Sequence, residues 1–349
     1  GVNYFDTAYI YPGSEEAFGK VLAASGLRDQ IYIATKLPHK SCKSCADFDR
    51  YLNIQLERLQ TDHIDYYMVH HLSSISSWQR LLDMGIEKWL AEKQASGQIG
   101  QFGFSFHGQQ PEFLKLLDVR DWDFCLIQYN YLDENYQAGR VGLQAAHAKQ
   151  MMTVIMEPLR GGKLATGLPP KAEAAFHKAE PQTSLAAWGL RWIWDQPEPT
   201  VVISGMSNME QIRDNLDTAE QSSIGMLDVQ QKELYRQAVE VVESSYKVPC
   251  TGCNYCLPCP HGVNIPGCFA AYNTRAAQGL VFGMTQYVTS TSINSKDPES
   301  RHGPGRCQDC GVCETKCPQE IAIAEKLREV RKHMEPLFFR PMFAAFRRL

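Results

Sequence analysis

The chain has 349 residues, with 35 Lys and Arg against 39 Asp and Glu and a formal net charge of −4. That length allows two domains, or one barrel with an appendage, and its apolar content supplies a sizeable core. The mild acidity gives no electrostatic footing for nucleic acid or an anionic membrane, and no run of 18 apolar residues offers a transmembrane helix.

In chain order, short apolar runs rich in Val, Ile, Phe and Tyr alternate with longer amphipathic stretches. Val2–Phe5, Ile31–Thr35, Ile64–Val69, Ile99–Phe104, Phe124–Tyr129, Met152–Met156 and Thr200–Ile203 read as strands. Helical patterns lie near 14–27, 46–59, 78–97, 110–118, 139–150, 183–196 and 208–220, and a further helix covers Asp228–Ser245. Continuous apolar strands suit a parallel sheet covered on both faces, and strict alternation gives an α/β fold. Seven such units fit an open doubly wound sheet or a (β/α)8 TIM barrel lacking its first βα unit. The strand ends decide for the barrel. Asp6 and Tyr11, Lys36, His70 and His71, Ser105, Gln128 and Asn130, Glu157 and Ser204 follow successive strands, and a barrel gathers those ends on one face. Gly1–Asp6 already reads as the end of a buried strand, so residues are expected to be missing in front of it, with or without a targeting segment.

Eight of the twelve cysteines fall in two runs, Cys250-x2-Cys253-x2-Cys256-x2-Cys259-Pro260 and Cys307-x2-Cys310-x2-Cys313-x3-Cys317-Pro318. The second is the bacterial ferredoxin spacing, in which three cysteines hold one [4Fe–4S] cluster and the fourth crosses to another. Close steps set three thiolates around one face of a cube, and backbone N–H groups can reach the sulfurs. The proline turns the chain away without leaving a donor to satisfy. Carrying the crossing over gives two clusters: Cys250, Cys253, Cys256 and Cys317 for one, and Cys307, Cys310, Cys313 and Cys259 for the other. The first run is one residue shorter before its last cysteine. Two four-cysteine zinc sites are the alternative, but zinc ribbons use separated pairs rather than triple steps ending in Cys-Pro. Clustered thiolates point to a reducing compartment, hence the cytoplasm. Cys42, Cys45, Cys125 and Cys268 read as incidental or core residues.

The composition shift near 246 divides the chain into a barrel over 1–246, a ferredoxin-type domain over 247–335 and a basic aromatic tail over 336–349. Thr289–Gly305, between the cysteine runs, reads as a flexible loop. The tail carries Phe338, Phe339, Phe343 and Phe346 among Arg340, Arg347 and Arg348. It reads as packing on its own domain or on a partner, with a membrane surface as the lesser alternative.

Asn3–Glu15, Ala34-Thr35-Lys36 and Ile64–His70 resemble, in register, segments of the aldo-keto reductase family, and the resemblance runs over nearly all of residues 1–220. It implies a catalytic tetrad of Asp6, Tyr11 five residues later, Lys36 and His70. The residue types suit carbonyl reduction. A free Tyr, with a pKa of about 10, gives up its proton reluctantly. A Lys36 ammonium would steady the phenolate, Asp6 would hold the lysine, and His70 would hydrogen-bond the carbonyl oxygen. His71 is the minor alternative to His70, because strand neighbours face opposite ways. The resemblance also implies nicotinamide-cofactor contacts from Ser105, Gln128, Glu157, Leu159, Gly161, Ser204, Gly205, Gln211 and Asn215, with a helix N-terminus after Ser204 suited to phosphate. Phe106 stands where the family has Asn, and Met156 where many members stack a Tyr. Gly205 and Gln211 stand where NADPH-specific members have Lys and Arg, so NADP(H) and NAD(H) both stay open.

The whole reads as an oxidoreductase moving hydride between a nicotinamide cofactor and a small carbonyl or alcohol substrate. Its two [4Fe–4S] clusters would pass single electrons to or from an electron-transfer protein. The alternative is a redox- or iron-sensing nucleotide-binding protein with structural or regulatory clusters. A third reading has the clusters only staple a domain too small to fold alone.

Overall fold

The computed structural model describes residues 1–293 and 302–336. Seven parallel strands pair in chain order: β1 (Tyr4–Asp6), β2 (Tyr32–Leu37), β3 (Ile64–Val69), β4 (Ile99–Phe106), β5 (Phe124–Gln128), β6 (Met152–Met156) and β7 (Val201–Val202). A doubly wound sheet would reverse its strand order at a switch point. Strictly sequential parallel order is that of a (β/α)8 barrel, here incomplete, with seven strands and no pairing of β1 with β7. Between the strands run α1 (Ser14–Ser25), α2 (Cys45–Leu59), α3 (Ile75–Asp83), α4 (Ile86–Ala95), α5 (Gln110–Asp118) and α6 (Gly139–Ala148). The single helix expected at 78–97 is thus two, because Gly85 adopts φ +86°, a left-handed turn through which a right-handed helix does not propagate. After β6 come α7 (Lys163–Thr166), α8 (Pro170–Ala179), α9 (Leu185–Trp194), α10 (Met209–Gln221) and α11 (Val229–Ser245). α7 and α8 are additional to the helices expected from the sequence pattern.

The two-residue period of a strand sorts side chains between two cores. Ile33, Leu37, Tyr67, Val69, Phe104, Cys125 and Ile127 belong to the larger one. Ala34, Met68, Phe124, Leu126 and Val154 form the smaller one, with Tyr4, Tyr66 and Met152 packed against it. Two residues beyond Tyr4, Ala34, Met68, Gly103 and Leu126 come Asp6, Lys36, His70, Ser105 and Gln128. The pleat therefore puts the polar strand ends on the same stripe as the smaller core. Gly103 lies on that stripe opposite Phe124, where an added Cβ would sit 2.2 Å from the Phe124 carbonyl oxygen. The Phe124 ring fills the space instead, edge-on to Tyr66 at 5.3 Å.

The described residues form two compact units, Gly1–Pro158 with Gly189–Leu227, and Leu159–Trp188 with the described residues from Asp228 on. In the second unit α8 and α11 meet through Phe176, Trp188 and Tyr235, whose hydroxyl donates to the Trp188 carbonyl at 2.7 Å. Three further helices, α12 (Ile265–Gln278), α13 (Leu280–Val288) and α14 (Ile323–Met334), surround a small core that includes Phe269, Tyr287, Leu327 and Val330. Cys268 belongs to this core and Cys125 to the larger barrel core. The stretch read as a flexible loop begins instead as a π-helical turn, Thr289–Ile293, continuing α13. The hydroxyls of Thr289 and Thr291 donate to carbonyls four residues back, which keeps the polar segment coiled. Residues 294–301 and the aromatic tail from 337 lie outside the described residues. Among the described residues no helix is long and apolar enough to cross a membrane.

Gly103→Val should destabilise the barrel by about 3 kcal/mol or more, the upper range for overpacking against backbone. Urea unfolding followed by tryptophan fluorescence measures it. A midpoint equal to that of the wild type would contradict the β4–β5 register.

Candidate active site and cluster loops

β1 and β2 pair so that Asp6 lies beside Ala34, one inward step before Lys36. The Lys36 ammonium, only 1% exposed, donates to Asp6 Oδ1 at 2.6 Å and to the Thr7 carbonyl at 2.7 Å. It lies 5.1 Å from the centroid of the Tyr11 ring, and the Tyr11 and His70 rings meet edge-on with centroids 6.0 Å apart. The turn after β1 positions Tyr11: its N–H donates to the Ala8 carbonyl at 2.9 Å, and its carbonyl accepts from the Ser14 N–H at 3.1 Å. Burial pushes the Asp6 carboxyl up from its ordinary value, and the lysine ammonium pulls it back. Asp6 Oδ2 is buried without a hydrogen-bond partner among the described residues.

A polar network that sequence reasoning missed supports Lys36 from behind. The Thr35 hydroxyl donates to Glu15 Oε1 at 2.7 Å. Gln55 Nε2 donates to the same oxygen at 2.9 Å and to the Lys36 carbonyl at 3.1 Å, while its Oε1 accepts from the Tyr67 hydroxyl at 2.8 Å. Arg58 donates to Glu15 Oε2 at 3.2 Å. These bonds tie α1, α2, β2 and β3 together at the lysine. Nothing in local spacing tells a buried carboxylate on an amphipathic helix from an exposed one.

Four histidines follow the ends of β2, β3 and β4. His71 leaves the pleat, with φ +58°, and its N–H donates to Ser105 Oγ at 2.8 Å. Its ring centroid lies 4.8 Å from that of His107. Arg80 donates to His39 Nδ1 at 3.0 Å, leaving Nε2 to donate to the His71 carbonyl at 3.4 Å, which selects one neutral tautomer. Burial pushes His39 and His71 down to about 4 and His107 to about 3. Burial, with Lys36 next, also holds His70 well below its ordinary value. His39 and His107 had no part in the sequence reading; their signal was a polar residue just past a strand end.

Ser105, Gln128, Glu157, Ser204, Gly205, Gln211 and Asn215 lie in the first unit, and Leu159 and Gly161 in the second. Gln128 Nε2 donates to Asp133 Oδ2 at 2.8 Å, and its oxygen accepts from Gln137 at 3.2 Å. Asn130 donates to Asp133 and to the Glu157 carbonyl, both at 3.1 Å. Ser204 Oγ accepts from Asn215 at 3.0 Å. Asn208 Oδ1 accepts from the Gln211 N–H at 2.9 Å, and Gln211 Oε1 accepts from the Ser207 N–H at 2.8 Å, which caps α10. A Cβ on Gly205 would meet nothing within 4 Å. Phe106 packs on Phe113 in the larger core, centroids 4.9 Å apart, and Met156 packs against the smaller one. The unpartnered Asp6 Oδ2 suits a ribose hydroxyl, and the open space beside Gly205, just ahead of α10, suits a phosphate, so the residues fit a nicotinamide dinucleotide. Within the second unit Arg160, Gly161 and Gly162 take φ of 50°, 62° and 85°. A Cβ on Gly161 would come 2.9 Å from the Thr251 carbonyl oxygen, and the Lys163 ammonium donates to the Cys250 carbonyl.

Both cysteine runs fold into the same turn. Gly252 and Asn254 flank Cys253 with φ +81° and +65°, and Asp309 and Gly311 flank Cys310 with φ +52° and +74°. Left-handed residues alternating with ordinary ones curl a chain into a nest of inward N–H groups. The backbone amides of Asp309 near Cys307, and of Gln319, Glu320 and Ile321 near Cys317, favour the thiolates against the burial that pushes both thiols up. Gly, Asn and Asp tolerate the left-handed region best, so their places beside Cys253 and Cys310 are the sequence signal for this turn. Cys250, Cys253, Cys256 and Cys317 line one cavity with Ile265, Phe269 and Ile323. Cys259 is close enough to Cys307 and Cys313 for its charge to act on both, while Cys310 is exposed at the tip of its loop. Thiols arranged around an apolar-walled cavity fit a cube. Among the described residues no three His, Cys, Asp or Glu side chains converge as a single zinc ion requires. Elsewhere, burial pushes the Cys42 thiol up to about 12, and Cys45 is exposed at the start of α2.

The model of the aldo/keto reductase family matches residues 1–229, and that of the 4Fe-4S dicluster domain matches residues 249–323. The chain belongs to the aldo/keto reductase family. An aldo-keto reductase of Mycolicibacterium vanbaalenii is 29% identical over 224 residues, covering 62% of this chain and 73% of the relative. The 6-dehydroglucose reductase of Agrobacterium fabrum is 26% identical over 248 residues, covering 62% and 77%. Among solved structures, an aldo-keto reductase from Klebsiella pneumoniae in complex with NADPH superposes with a TM-score of 0.56 at 22% identity, over 68% of this chain and 81% of that one. The holo form of one from Bacillus halodurans gives 0.55 at 22%, over 68% and 83%. These likenesses establish the fold. The protein is therefore an aldo/keto reductase family oxidoreductase that also carries a 4Fe-4S dicluster domain.

The buried histidines make the reductase part acid-sensitive. A histidine whose folded pKa lies below its unfolded value near 6.5 takes up its proton only on unfolding, so stability is intact above 6.5 and falls as pH drops toward 4. Each one steepens the fall by up to about 1.4 kcal/mol per pH unit. Urea unfolding at pH 6 and 5 should show this slope. His39→Gln, which keeps one donor and one acceptor, should reduce it by one histidine's share, and an unchanged slope would contradict the neutral buried His39.

Proposed function

We propose that the reductase part reduces a small carbonyl compound, or oxidises the corresponding alcohol, with NADP(H) or NAD(H). The observation that carries this reading is the buried Lys36 ammonium, paired with Asp6 at 2.6 Å and set 5.1 Å from the Tyr11 ring beside His70. When bound, the nicotinamide supplies or accepts the hydride at the carbonyl carbon. Tyr11 gives its phenolic proton to the carbonyl oxygen in reduction and takes it back in oxidation. Lys36 stabilises the phenolate left behind, and Asp6 and the Thr7 carbonyl hold the lysine there. His70, kept neutral by its burial, donates one ring N–H to the carbonyl oxygen and orients the substrate.

Ser105, Gln128, Glu157, Ser204, Gly205, Gln211 and Asn215, with Leu159 and Gly161, are the proposed cofactor contacts. The NADPH bound by the Klebsiella relative and the sugar-derived substrate in the name of the Agrobacterium relative make NADPH and hydroxylated carbonyl compounds the first ligands to try. The dicluster domain carries single electrons to or from a partner protein, and its thiolates suit a reducing, cytoplasmic setting. Cys250, Cys253, Cys256 and Cys317 are proposed as one ligand set, and Cys259, Cys307, Cys310 and Cys313 as the other.

Tyr11→Phe should lower carbonyl reduction about 100-fold or more while leaving nucleotide affinity within about twofold. Turnover at the wild-type rate would show that another group protonates the substrate. Anaerobically reconstituted wild-type protein should hold about eight irons per chain, and Cys256→Ser or Cys313→Ser about four each. Eight irons in either variant would overturn that residue's assignment.

A further inference from the structure

The second cysteine run borders a broad groove open to solvent. Cys259 forms part of its wall, and His261, His302, Arg306, Lys316 and Val312 line it. No Asp or Glu is among the described lining residues. Arg306 and Lys316 are exposed and make no ion pair among the described residues. The carboxylates next to them in sequence are otherwise engaged: Asp309 pairs with Arg328 at 2.7 Å, and Glu314 accepts from the Ala324 N–H at 2.9 Å. The groove has a fixed frame. The His302 N–H donates to the Gly262 carbonyl and the Asn264 N–H to the His302 carbonyl, each at 2.9 Å.

A cationic rim is unexpected on a chain with a net charge of −4. Val312, 41% exposed and part of the same lining, adds an apolar contact point. Unpaired positive charge around an exposed apolar spot is the pattern of a surface that steers an acidic protein into place. One wall is a proposed cluster ligand, which makes the visitor's purpose electron transfer.

We propose that this groove docks an acidic one-electron carrier protein, which exchanges its electron with the second cluster past the Cys259 edge. The proposal rests on reading Cys259, Cys307, Cys310 and Cys313 as the ligands of a redox-active cluster. In the reductive direction one electron leaves the carrier, which is oxidised by one step, and the cluster core goes from 2+ to 1+. No bond or proton changes hands.

A flavodoxin hydroquinone, acidic and limited to one-electron steps, is the probe. Its second-order rate of cluster reduction in the full, cluster-loaded chain is measured by stopped flow at low and high salt, with cluster spectra and midpoint potentials alongside. Arg306→Glu combined with Lys316→Glu should lower the rate about tenfold at low salt, with little difference at high salt, where the charges are screened. The second cluster's spectrum and midpoint should stay as in the wild type. A rate indifferent to both salt and charge reversal would overturn the docking site. So would a slower rate fully accounted for by a shifted midpoint, since the cations would then serve only to balance the cluster's charge. A wild-type chain whose second cluster dithionite cannot reduce would instead defeat the underlying cluster reading, and the docking site with it.

Discussion

A lysine ammonium at 1% exposure is not tolerated inside a protein unless its charge and its protons are met. In this chain Asp6 Oδ1 and the Thr7 carbonyl meet them, and much of the reductase part is arranged around that requirement. β1 pairs with β2 over only three residues, so the ion pair between them adds a strong specific tie to a short ladder. Removing one member of such a pair costs about 3–5 kcal/mol, because the other is left buried and uncompensated. The same tie fixes where positive charge lies under the Tyr11 ring. Structural and chemical demands on Lys36 are therefore satisfied by one geometry.

The supporting network extends this logic outward. Glu15 is fully buried, yet each of its oxygens has a donor, from Thr35 and Gln55 on one side and Arg58 on the other. Gln55 also holds the Lys36 carbonyl, so the lysine is located from its backbone as well as its tip. A fully satisfied polar network is rigid, and proton transfer needs rigid placement. The histidines beyond β2, β3 and β4 obey the opposite constraint. Packed near Lys36, Lys40 and Arg80, they stay neutral, each with one donor and one acceptor to offer.

In the dicluster domain the apolar core is small, and cysteines are part of it or pack on it. A core of that size is of the kind to which a bound metal centre generally lends folding energy. The repeated turn, left-handed on both sides of the middle cysteine of each run, gives two loops of common shape. The alternation along the barrel strands does the equivalent for Asp6, Lys36 and His70, while a turn supplies Tyr11. In both places a short-range backbone rule brings reactive side chains to one point.

For that reason the sequence by itself determined a good deal. Ile64–Val69 and Met152–Met156 were legible as strands to the residue, since period and composition are local properties. The sequential parallel sheet was legible in the polar residues after each strand, and the eight cluster cysteines in their spacing. Other features were settled only by the tertiary structure. Gly85 breaks a helix whose apolar pattern runs on unbroken, because the pattern records the buried face and not the backbone hand. Segment Leu159–Trp188 belongs to the same compact unit as the cysteine runs, although it follows a barrel strand in the chain. The grip of Gln55 on Glu15 and on the Lys36 carbonyl joins residues 40 and 19 apart in the chain. Such a grip depends on how helices rotate against strands as a core closes, a property of the packed whole that no window of sequence contains.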